Sequence, residues 1–408
     1  MTDTLRPRDA KDVESAVQWA LAEGKALEVA GQGSKRAIGR PAQTDLTLDL
    51  SGLSGVTLYE PEELVLSARA GTPLAEIEAL VAKSGQQLAF EPMDCGAILG
   101  QAVGRGTIGG ALAANLSGPR RLQAGAARDH FLGATAVSGR GETFKSGGRV
   151  VKNVTGYDLC KLLAGSWGTL AVMTDVTIKT LPRPESEETI LVLGLDDARA
   201  VAAMTDAIGS SCDVSGAAHL PAAIAAVVAE VAGAGSAVTA LRLEGFAPSV
   251  AHRAATLRAL LKSFGEVTNV GREASQRLWR AVRDVAPLAG AGDAGDRAIW
   301  RISTVPSRGA ELAAMVAGSA EARLLFDWAG GLIWLALPQS DDAGAAVVRR
   351  AVGATGGHAT LIRAPAAVRA AVAVFEPPDV ALAALNRRIK EGFDPKGVLN
   401  PGRMWAGV

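Results

Sequence analysis

Glycine is unusually dense between Glu91 and Pro119, where seven glycines are interleaved with apolar residues. Glycine accepts positive φ and lets a ligand approach the backbone, yet it loses more conformational entropy on folding than any other residue. Such density indicates a bound group, and a large flat anion would use it. The alternative is a mobile surface loop, but flexible linkers favour Gly, Ser and charge. The interleaved apolar residues instead favour an ordered, half-buried loop.

A second glycine loop, residues 30–39, follows a short apolar segment, residues 26–30, which predicts a buried strand. Its candidate ligand-binding residues are Gly31, Gln32, Gly33, Ser34 and Lys35. Successive backbone N–H groups in such a turn can bind an anion, and Ser34 and Lys35 add a hydroxyl and a positive charge. A Rossmann fingerprint would need Gly or Ala in place of Arg36 and a helix starting at once, so we reject it. An ordinary glycine turn remains the alternative.

Composition limits the class of protein. The chain has 408 residues, which exceeds the size at which one hydrophobic core stops growing, so we expect two domains. Lys plus Arg and Asp plus Glu number 42 each, which leaves no net charge to attract nucleic acid or anionic membrane. We therefore predict no nucleic acid partner.

Cysteine usage and hydropathy exclude further classes. Cys95, Cys160 and Cys212 are far apart and form no C-x-x-C pair, which argues against a disulfide framework or an iron–sulfur cluster in this chain. The polar N-terminus has no signal-peptide pattern, so we predict a cytoplasmic location. Residues 222–238 are the most lipid-like segment, but Glu230 interrupts them. We expect a packed helix followed by a loop, and no direct membrane insertion.

The helices and strands predicted around these loops indicate an α+β domain up to residue 184. Apolar spacing predicts a helix that carries Val13 and Val17 and ends at Gly24. Another helix is predicted to follow Thr72 as its cap, with Pro73 in its first position. Predicted strands cover residues 46–50, 56–60, 64–70, 131–137, 143–145 and 169–180.

Prolines and charged residues at 182–188 mark the predicted domain boundary. We expect residues 185–375 to form an α/β sandwich of the split βαβ kind, because apolar strands alternate with Ala-rich helices. No internal repeat is evident. Residues 376–408, predicted as a helix over 380–392 and a turn-rich end, form a C-terminal segment that returns to the first domain.

Four blocks in order carry a family resemblance: AGQGSK, TIGGALAANLSGP, VVKNVTGYDLCKLLAGSWGTLAVMTDVTIK and FDPKGVLNPGRM. Together they resemble the vanillyl-alcohol-oxidase or PCMH-type family of FAD enzymes, and within it the FAD-binding E subunits of bacterial glycolate oxidases. The resemblance covers residues 1–184 and 376–408, and implies a PCMH-type two-subdomain FAD-binding fold with the 185–375 region as a cap domain.

The resemblance also implies which residues bind FAD. The loop at 31–35 would hold the pyrophosphate, and the glycine-rich stretch would lie along the pyrophosphate and the isoalloxazine. Family members with covalent flavin carry a His or Cys to which the flavin is attached. The first loop of this chain has Lys35 and Arg36 instead, so we expect noncovalent FAD. The implied cofactor-binding residues outside the first loop are Pro92, Thr107, Ile108, Gly109, Gly110, Asn115, Ser117, Gly118 and Val172.

No catalytic residue can be assigned from the sequence. Related D-2-hydroxyacid dehydrogenases carry a His-rich metal site, and residues 185–408 contain no such run, so we predict no metal. The histidines, residues 130, 219, 252 and 358, are scattered and are expected to be structural. Tyr157 and Lys152 could approach a flavin, and Arg301 and Arg363 could bind a carboxylate, but each has an ordinary structural alternative.

Three functions remain open. The first is an FAD-binding subunit of a multi-subunit glycolate or D-2-hydroxyacid oxidoreductase. It would work beside a catalytic flavoprotein subunit and an iron–sulfur subunit, and any inner-membrane contact would be made through partners. Two alternatives stay open: the flavin of this chain reacts with the hydroxyacid directly, or the hydroxyacid binds only to the partner and this chain relays electrons. The second is a self-sufficient FAD oxidase or dehydrogenase. The third is a scaffold that has lost flavin binding.

Overall fold

The computed structural model describes residues 3–149, 156–290 and 296–408. Strands within these ranges form four sheets, of two, three, five and eight strands. The first three sheets lie in residues 3–182, here called the N-terminal lobe, and the eight-stranded sheet lies in residues 186–363, here called the cap lobe. No helix in the described ranges is long and apolar enough to cross a membrane. Lys152 lies outside these ranges.

The N-terminal lobe combines a parallel sheet, in the order β1-β3-β2, with an antiparallel sheet in the order β4-β5-β9-β7-β8. A two-stranded ribbon pairs β6 with β10. The elements are β1 (Asp3–Leu5), α1 (Ala10–Glu23), β2 (Leu27–Ala30), β3 (Leu46–Asp49), β4 (Val56–Glu60), β5 (Val65–Arg69), α2 (Leu74–Lys83), β6 (Gln86–Gln87), α3 (Ile108–Ala114), α4 (Arg121–Ala124), α5 (Ala127–His130), β7 (Phe131–Ser138), β8 (Thr143–Gly147), α6 (Leu159–Leu163), β9 (Ala171–Lys179) and β10 (Leu181–Pro182).

Local sequence explains the helix that leads into the first loop. Asp9 caps α1 by accepting from Asp12 N, Val13 and Val17 are buried on one face, and Gly24 ends the helix at φ +62°. The predicted cap at Thr72 is wrong. The Thr72 hydroxyl donates to the carbonyl of Arg69 (2.6 Å), so α2 begins at Leu74 without a side-chain cap.

The cap lobe has a single antiparallel sheet in the order β14-β11-β13-β12-β16-β17-β15-β18. The predicted helix at 222–238 is only one turn long. The elements are β11 (Ser186–Leu193), α7 (Asp197–Gly209), β12 (Gly216–Leu220), α8 (Ala222–Ala225), β13 (Val238–Gly245), α9 (Ala247–Leu261), β14 (Val267–Val270), α10 (Arg272–Arg283), α11 (Ala286–Ala289), β15 (Ala298–Ser303), α12 (Gly309–Ala317), β16 (Arg323–Asp327), β17 (Leu332–Leu337), α13 (Ala345–Thr355) and β18 (His358–Arg363). Two helices follow the cap lobe in the chain: α14 (Ala366–Ala371) and, in the C-terminal segment, α15 (Val380–Phe393).

This sheet contains a repeat that the sequence does not reveal. Strands β11 to β14 and strands β15 to β18 each follow the split βαβ pattern, with the fourth, first, third and second strands side by side. The two units, residues 186–270 and 298–363, meet where β12 pairs with β16. We call them the first unit and the second unit.

The C-terminal segment packs on the N-terminal lobe. Leu399 pairs with Leu27 beside β2, and Asn400 accepts a hydrogen bond from Val29 N and donates to Trp167 O. Lys390 is buried against Asp394 (2.7 Å). These contacts place the end of the chain next to the first glycine loop.

Candidate functional site

A cleft of about 710 Å³ lies between the first glycine loop, helix α3 and the C-terminal segment. Its walls are mainly backbone, glycine and small apolar side chains, with a few cations among them. The lining residues are Val29, Ala30, Gly31, Gln32, Gly33, Ser34, Lys35, Arg36, Leu50, Ala70, Thr107, Gly109, Gly110, Ala113, Ala114, Trp167, Gly168, Ala171, Met173 and Arg403.

The first loop offers free donors to this cleft. In the part of the chain that the structure describes, the amides of residues 32–35 donate to no protein acceptor, whereas Arg36 N already bonds to Gly33 O. Gly33 has φ +76°, and a Cβ at Gly31 would come within 2.6 Å of the Thr107 hydroxyl. Buried Ser34 and Lys35 lie beside the free amides. An arrangement of this kind can bind an anion.

Helix α3 contributes shape more than donors. Thr107 caps it by accepting from Gly110 N (3.2 Å). The amides of Ile108 and Gly109 donate to the carbonyls of Thr72 and Ala70, which precede α2. A Cβ at Gly109 would lie 2.8 Å from the Ala70 carbonyl oxygen. Gly109 therefore permits close packing of α3, and the small residues of this helix leave the cleft wide.

Arg403 was not among the predicted site residues, although it lies in the FDPKGVLNPGRM block. Its Nη2 donates to the carbonyl of Lys35 (2.9 Å), and its guanidinium lies 5.5 Å from the centre of the Trp167 ring. Its buried Nε has no hydrogen-bond partner among the described residues. Burial lowers the pKa of Arg403 to about 10, so it stays charged at neutral pH. A phosphate would supply the acceptor that this donor lacks.

The other predicted cofactor residues lie outside this cleft, and their roles stay predictions. Pro92 lines an adjoining cavity of about 430 Å³ that shares Ser34 and Lys35 with the cleft. Ile108 and Val172 are fully buried. Further contacts are local: Asn115 accepts from Arg128 N, Ser117 accepts from Ala127 N, and Gly118 O accepts from Trp328 Nε1.

A buried ionic network joins the start of the second glycine stretch to the cap lobe. Arg242 donates to Glu91 (2.9 Å), and Arg120 pairs with Glu244 (2.8 Å). Burial alone would raise the pKa of Glu244, but Arg242 and Arg120 lower it to about 2. All four side chains are nearly buried, so this network fixes the lobes against each other.

The remaining candidates for catalysis or carboxylate binding lie in different surroundings. Tyr157 is 91% exposed, and Arg363 donates to the carbonyls of Arg297 and Ile98. Arg301 is half-buried and lies 5.1 Å from the centre of the Trp328 ring. Among the described residues, no group of three His, Cys, Asp or Glu side chains could hold a metal ion. The site therefore supports cofactor binding, and its geometry alone assigns no catalytic group.

Sequence comparisons agree with this geometry. Residues 4–147 match the FAD binding domain family, and residues 376–404 match the C-terminal domain of FAD linked oxidases. The chain is 34% identical over 395 residues to the glycolate oxidase subunit GlcE of Escherichia coli strain K12, covering 96% of this chain and 95% of that protein. It is 27% identical over 190 residues to the glycolate oxidase subunit GlcD of Bacillus subtilis strain 168, covering 46% of this chain and 39% of that one.

Solved structures share the fold. A p-cresol methylhydroxylase with bound substrate superposes with a TM-score of 0.76 at 14% identity, over 99% of this chain and 88% of that one. An alkyldihydroxyacetonephosphate synthase superposes with a TM-score of 0.71 at 16% identity, over 98% and 75%. The predicted PCMH-type fold is thereby confirmed.

Proposed function

Since this chain belongs to the family of FAD-linked oxidoreductases that includes the glycolate oxidase subunit GlcE, we propose that it is the noncovalent FAD-binding subunit of a multi-subunit glycolate or D-2-hydroxyacid oxidoreductase. Its cofactor is FAD, and it is an FAD-dependent oxidoreductase. The subunit role, the noncovalent attachment and the hydroxyacid are the proposal.

The cleft beside the first glycine loop carries this proposal. The free amides of residues 32–35 and the charges of Lys35 and Arg403 would bind the pyrophosphate, which is the anionic part of FAD. The small residues of α3 would leave room for the flat groups. When bound, FAD supplies the capacity to accept a hydride. The protein supplies binding, orientation and a wall against water.

The cysteine content supports a complex. The three cysteines, residues 95, 160 and 212, are buried and free in the described chain, and they provide fewer thiolates than the four that hold a typical iron–sulfur cluster. Electrons that leave the flavin would then need another subunit. We propose a catalytic flavoprotein subunit and an iron–sulfur subunit as partners, with a cytoplasmic location and any membrane contact made through them.

The first experiment measures FAD directly. Purified protein should show flavin absorbance, and acid precipitation should release the flavin into the supernatant because no covalent bond retains it. Arg403→Gln should weaken FAD binding about 10- to 100-fold, since a charge-assisted hydrogen bond contributes roughly 1.5–3 kcal/mol. Arg387→Gln, which removes an exposed arginine from α15, is the control and should bind FAD normally. Flavin that stays in the precipitate would refute noncovalent attachment.

The second experiment tests the complex. The tagged chain, expressed in its native host, should co-purify with a second flavoprotein and with an iron–sulfur protein. A chain that is monomeric and oxidises glycolate alone with an artificial acceptor would instead be a self-sufficient oxidoreductase. A chain that neither contains flavin nor regains it from added FAD would be a scaffold.

A further inference from the structure

Two arginines, one from each lobe, lie against the same indole ring. The guanidinium of Arg121, at the start of α4, is 4.3 Å from the centre of the Trp328 ring, and that of Arg301, on β15, is 5.1 Å from it. Neither side chain donates a hydrogen bond to any acceptor in the described chain, although most arginines around the lobe interface do. Burial and the charge of Arg121 lower the pKa of Arg301 to about 10, so Arg301 stays charged at neutral pH, and a bound anion would offset the repulsion between the two guanidiniums.

The surroundings compensate that charge only in part. His358 lies on the neighbouring strand β18, where burial, Arg301 and Arg121 lower its pKa and Glu376 raises it; the net lowering favours the neutral imidazole, which can still donate a hydrogen bond. Asp327, a buried carboxyl that acts on Arg301, has a pKa that burial raises to about 7, so it is only partly ionised at neutral pH. Its Oδ1 already accepts from Trp328 N (2.7 Å).

The turn that carries Trp328 has a strained backbone. Trp328, Ala329 and Gly330 all have positive φ, of +51°, +57° and +95°. Two consecutive non-glycine residues in this region are costly, and such strain concentrates where a side chain must be held for a purpose. The indole Nε1 donates to Gly118 O (3.1 Å), at the end of the second glycine stretch. The cluster thus lies on the interface between the lobes.

We propose that Arg121 and Arg301, which both lie against Trp328, together with His358 on the strand next to Arg301, bind the carboxylate of a small 2-hydroxy acid or its 2-oxo product. A planar guanidinium matches a carboxylate through two parallel hydrogen bonds, and the indole supplies a flat apolar wall. Arg121 is exposed, so the cluster is open to entering ligand. The choice of a hydroxyacid among carboxylates rests on the proposed function.

Calorimetric titration tests this inference. The FAD-loaded protein, with any subunits that co-purify, is titrated with glycolate, with glyoxylate and with inorganic phosphate. Arg301→Gln should weaken carboxylate binding at least tenfold, and Arg301→Lys should restore part of it. Arg121→Gln, at an exposed position that does not support the core, should weaken binding without affecting folding. Arg350→Gln, at an exposed position on α13, is the matched control and should bind as the wild type does.

Three outcomes would overturn the inference: no carboxylate binding by the wild type, isotherms that neither arginine variant alters, or phosphate binding that is tighter than glyoxylate binding. FAD content, measured by absorbance on the same samples, separates this failure from failure of the proposed function. A protein that retains FAD and its partners but shows one of these outcomes refutes the carboxylate site alone.

Discussion

The two units of the cap lobe share one topology but treat their charges differently. In the first unit, Arg242 on β13 is enclosed by Glu91 and Glu244, and it also donates to the Ser215 carbonyl. In the second unit, Arg301 on β15 has no hydrogen-bonded carboxylate among the described residues. A repeated fold can thus use one copy as an anchor between lobes and leave an arginine of the other copy without a carboxylate partner in the described chain.

A tryptophan lies against the arginine of each unit, and the two tryptophans show the same contrast between paired and unpaired arginines. Trp279 on α10 donates to the Thr189 hydroxyl (2.8 Å) and lies 4.7 Å from the Arg242 guanidinium, within a closed network. Trp328 donates across the lobe interface to Gly118 and is flanked by arginines without acceptors. Similar aromatic–arginine contacts therefore serve packing in one place and, by our proposal, recognition in the other.

Breaking the closed network should have the largest effect on stability. Arg242→Met leaves Glu91 and Glu244 buried with Arg120 as their remaining cation. We expect the free energy of unfolding to fall by about 3–5 kcal/mol, because a buried charge loses its partner. Denaturant titration measures the change.

Arg258→Gln is the matched control for Arg242→Met. It breaks the partly exposed pair of Arg258 with Glu188, and should cost about 0–1 kcal/mol. Equal losses in the two variants would show that the interface network contributes no more than a surface pair does.

In the second unit, Asp327 should make stability depend on pH in the opposite sense from a carboxyl that is paired with a cation. Folding raises the pKa of Asp327 from 3.8 to about 7, chiefly through burial. Stability is therefore greatest below pH 3.8 as far as this group is concerned, and decreases as pH rises toward 7. Asp327→Asn keeps an acceptor for Trp328 N and removes the penalty, so it should stabilise by roughly 2–4 kcal/mol at pH 8.

Thermal unfolding at two pH values checks this sign. The gain in Tm for Asp327→Asn should be large at pH 8 and nearly absent at pH 4. A gain of equal size at both values would mean that the carboxyl does not titrate between them.

Sequence reasoning succeeded where the signal lies in local backbone requirements. Gly33 has a positive φ, and a Cβ at Gly31 would collide with Thr107. Because both positions favour glycine, the glycine pattern in the sequence marks this part of the cleft. FAD and the PCMH-type fold followed from ordered blocks of such residues, and both are confirmed. The roles of individual residues stay predictions, because no bound cofactor tests them.

Contacts between distant segments were harder to predict. Arg403 is 368 positions from Lys35, whose carbonyl it contacts, and nothing in its local sequence specifies that partner. Thr72 resembles a helix cap in sequence, but its hydroxyl donates to Arg69 O and does not cap α2. The repeat in the cap lobe was missed because burial, not sequence identity, is what its two units share: both fill their strands with interchangeable small and branched apolar residues.

The smallest expected effect is the difference between Trp279 and Trp328 when each is replaced by phenylalanine. Trp279→Phe and Trp328→Phe each remove one indole hydrogen bond and some buried area, so each should cost about 1–2 kcal/mol of stability. Only Trp328→Phe should also weaken glyoxylate binding, by roughly threefold to tenfold, because it removes the larger ring that positions Arg121 and Arg301. Denaturation and calorimetry on both variants measure the pair of effects. If Trp279→Phe weakened binding as much, the distinction between anchoring and recognition would disappear, and ligand binding would depend only on how firmly the lobes are held together.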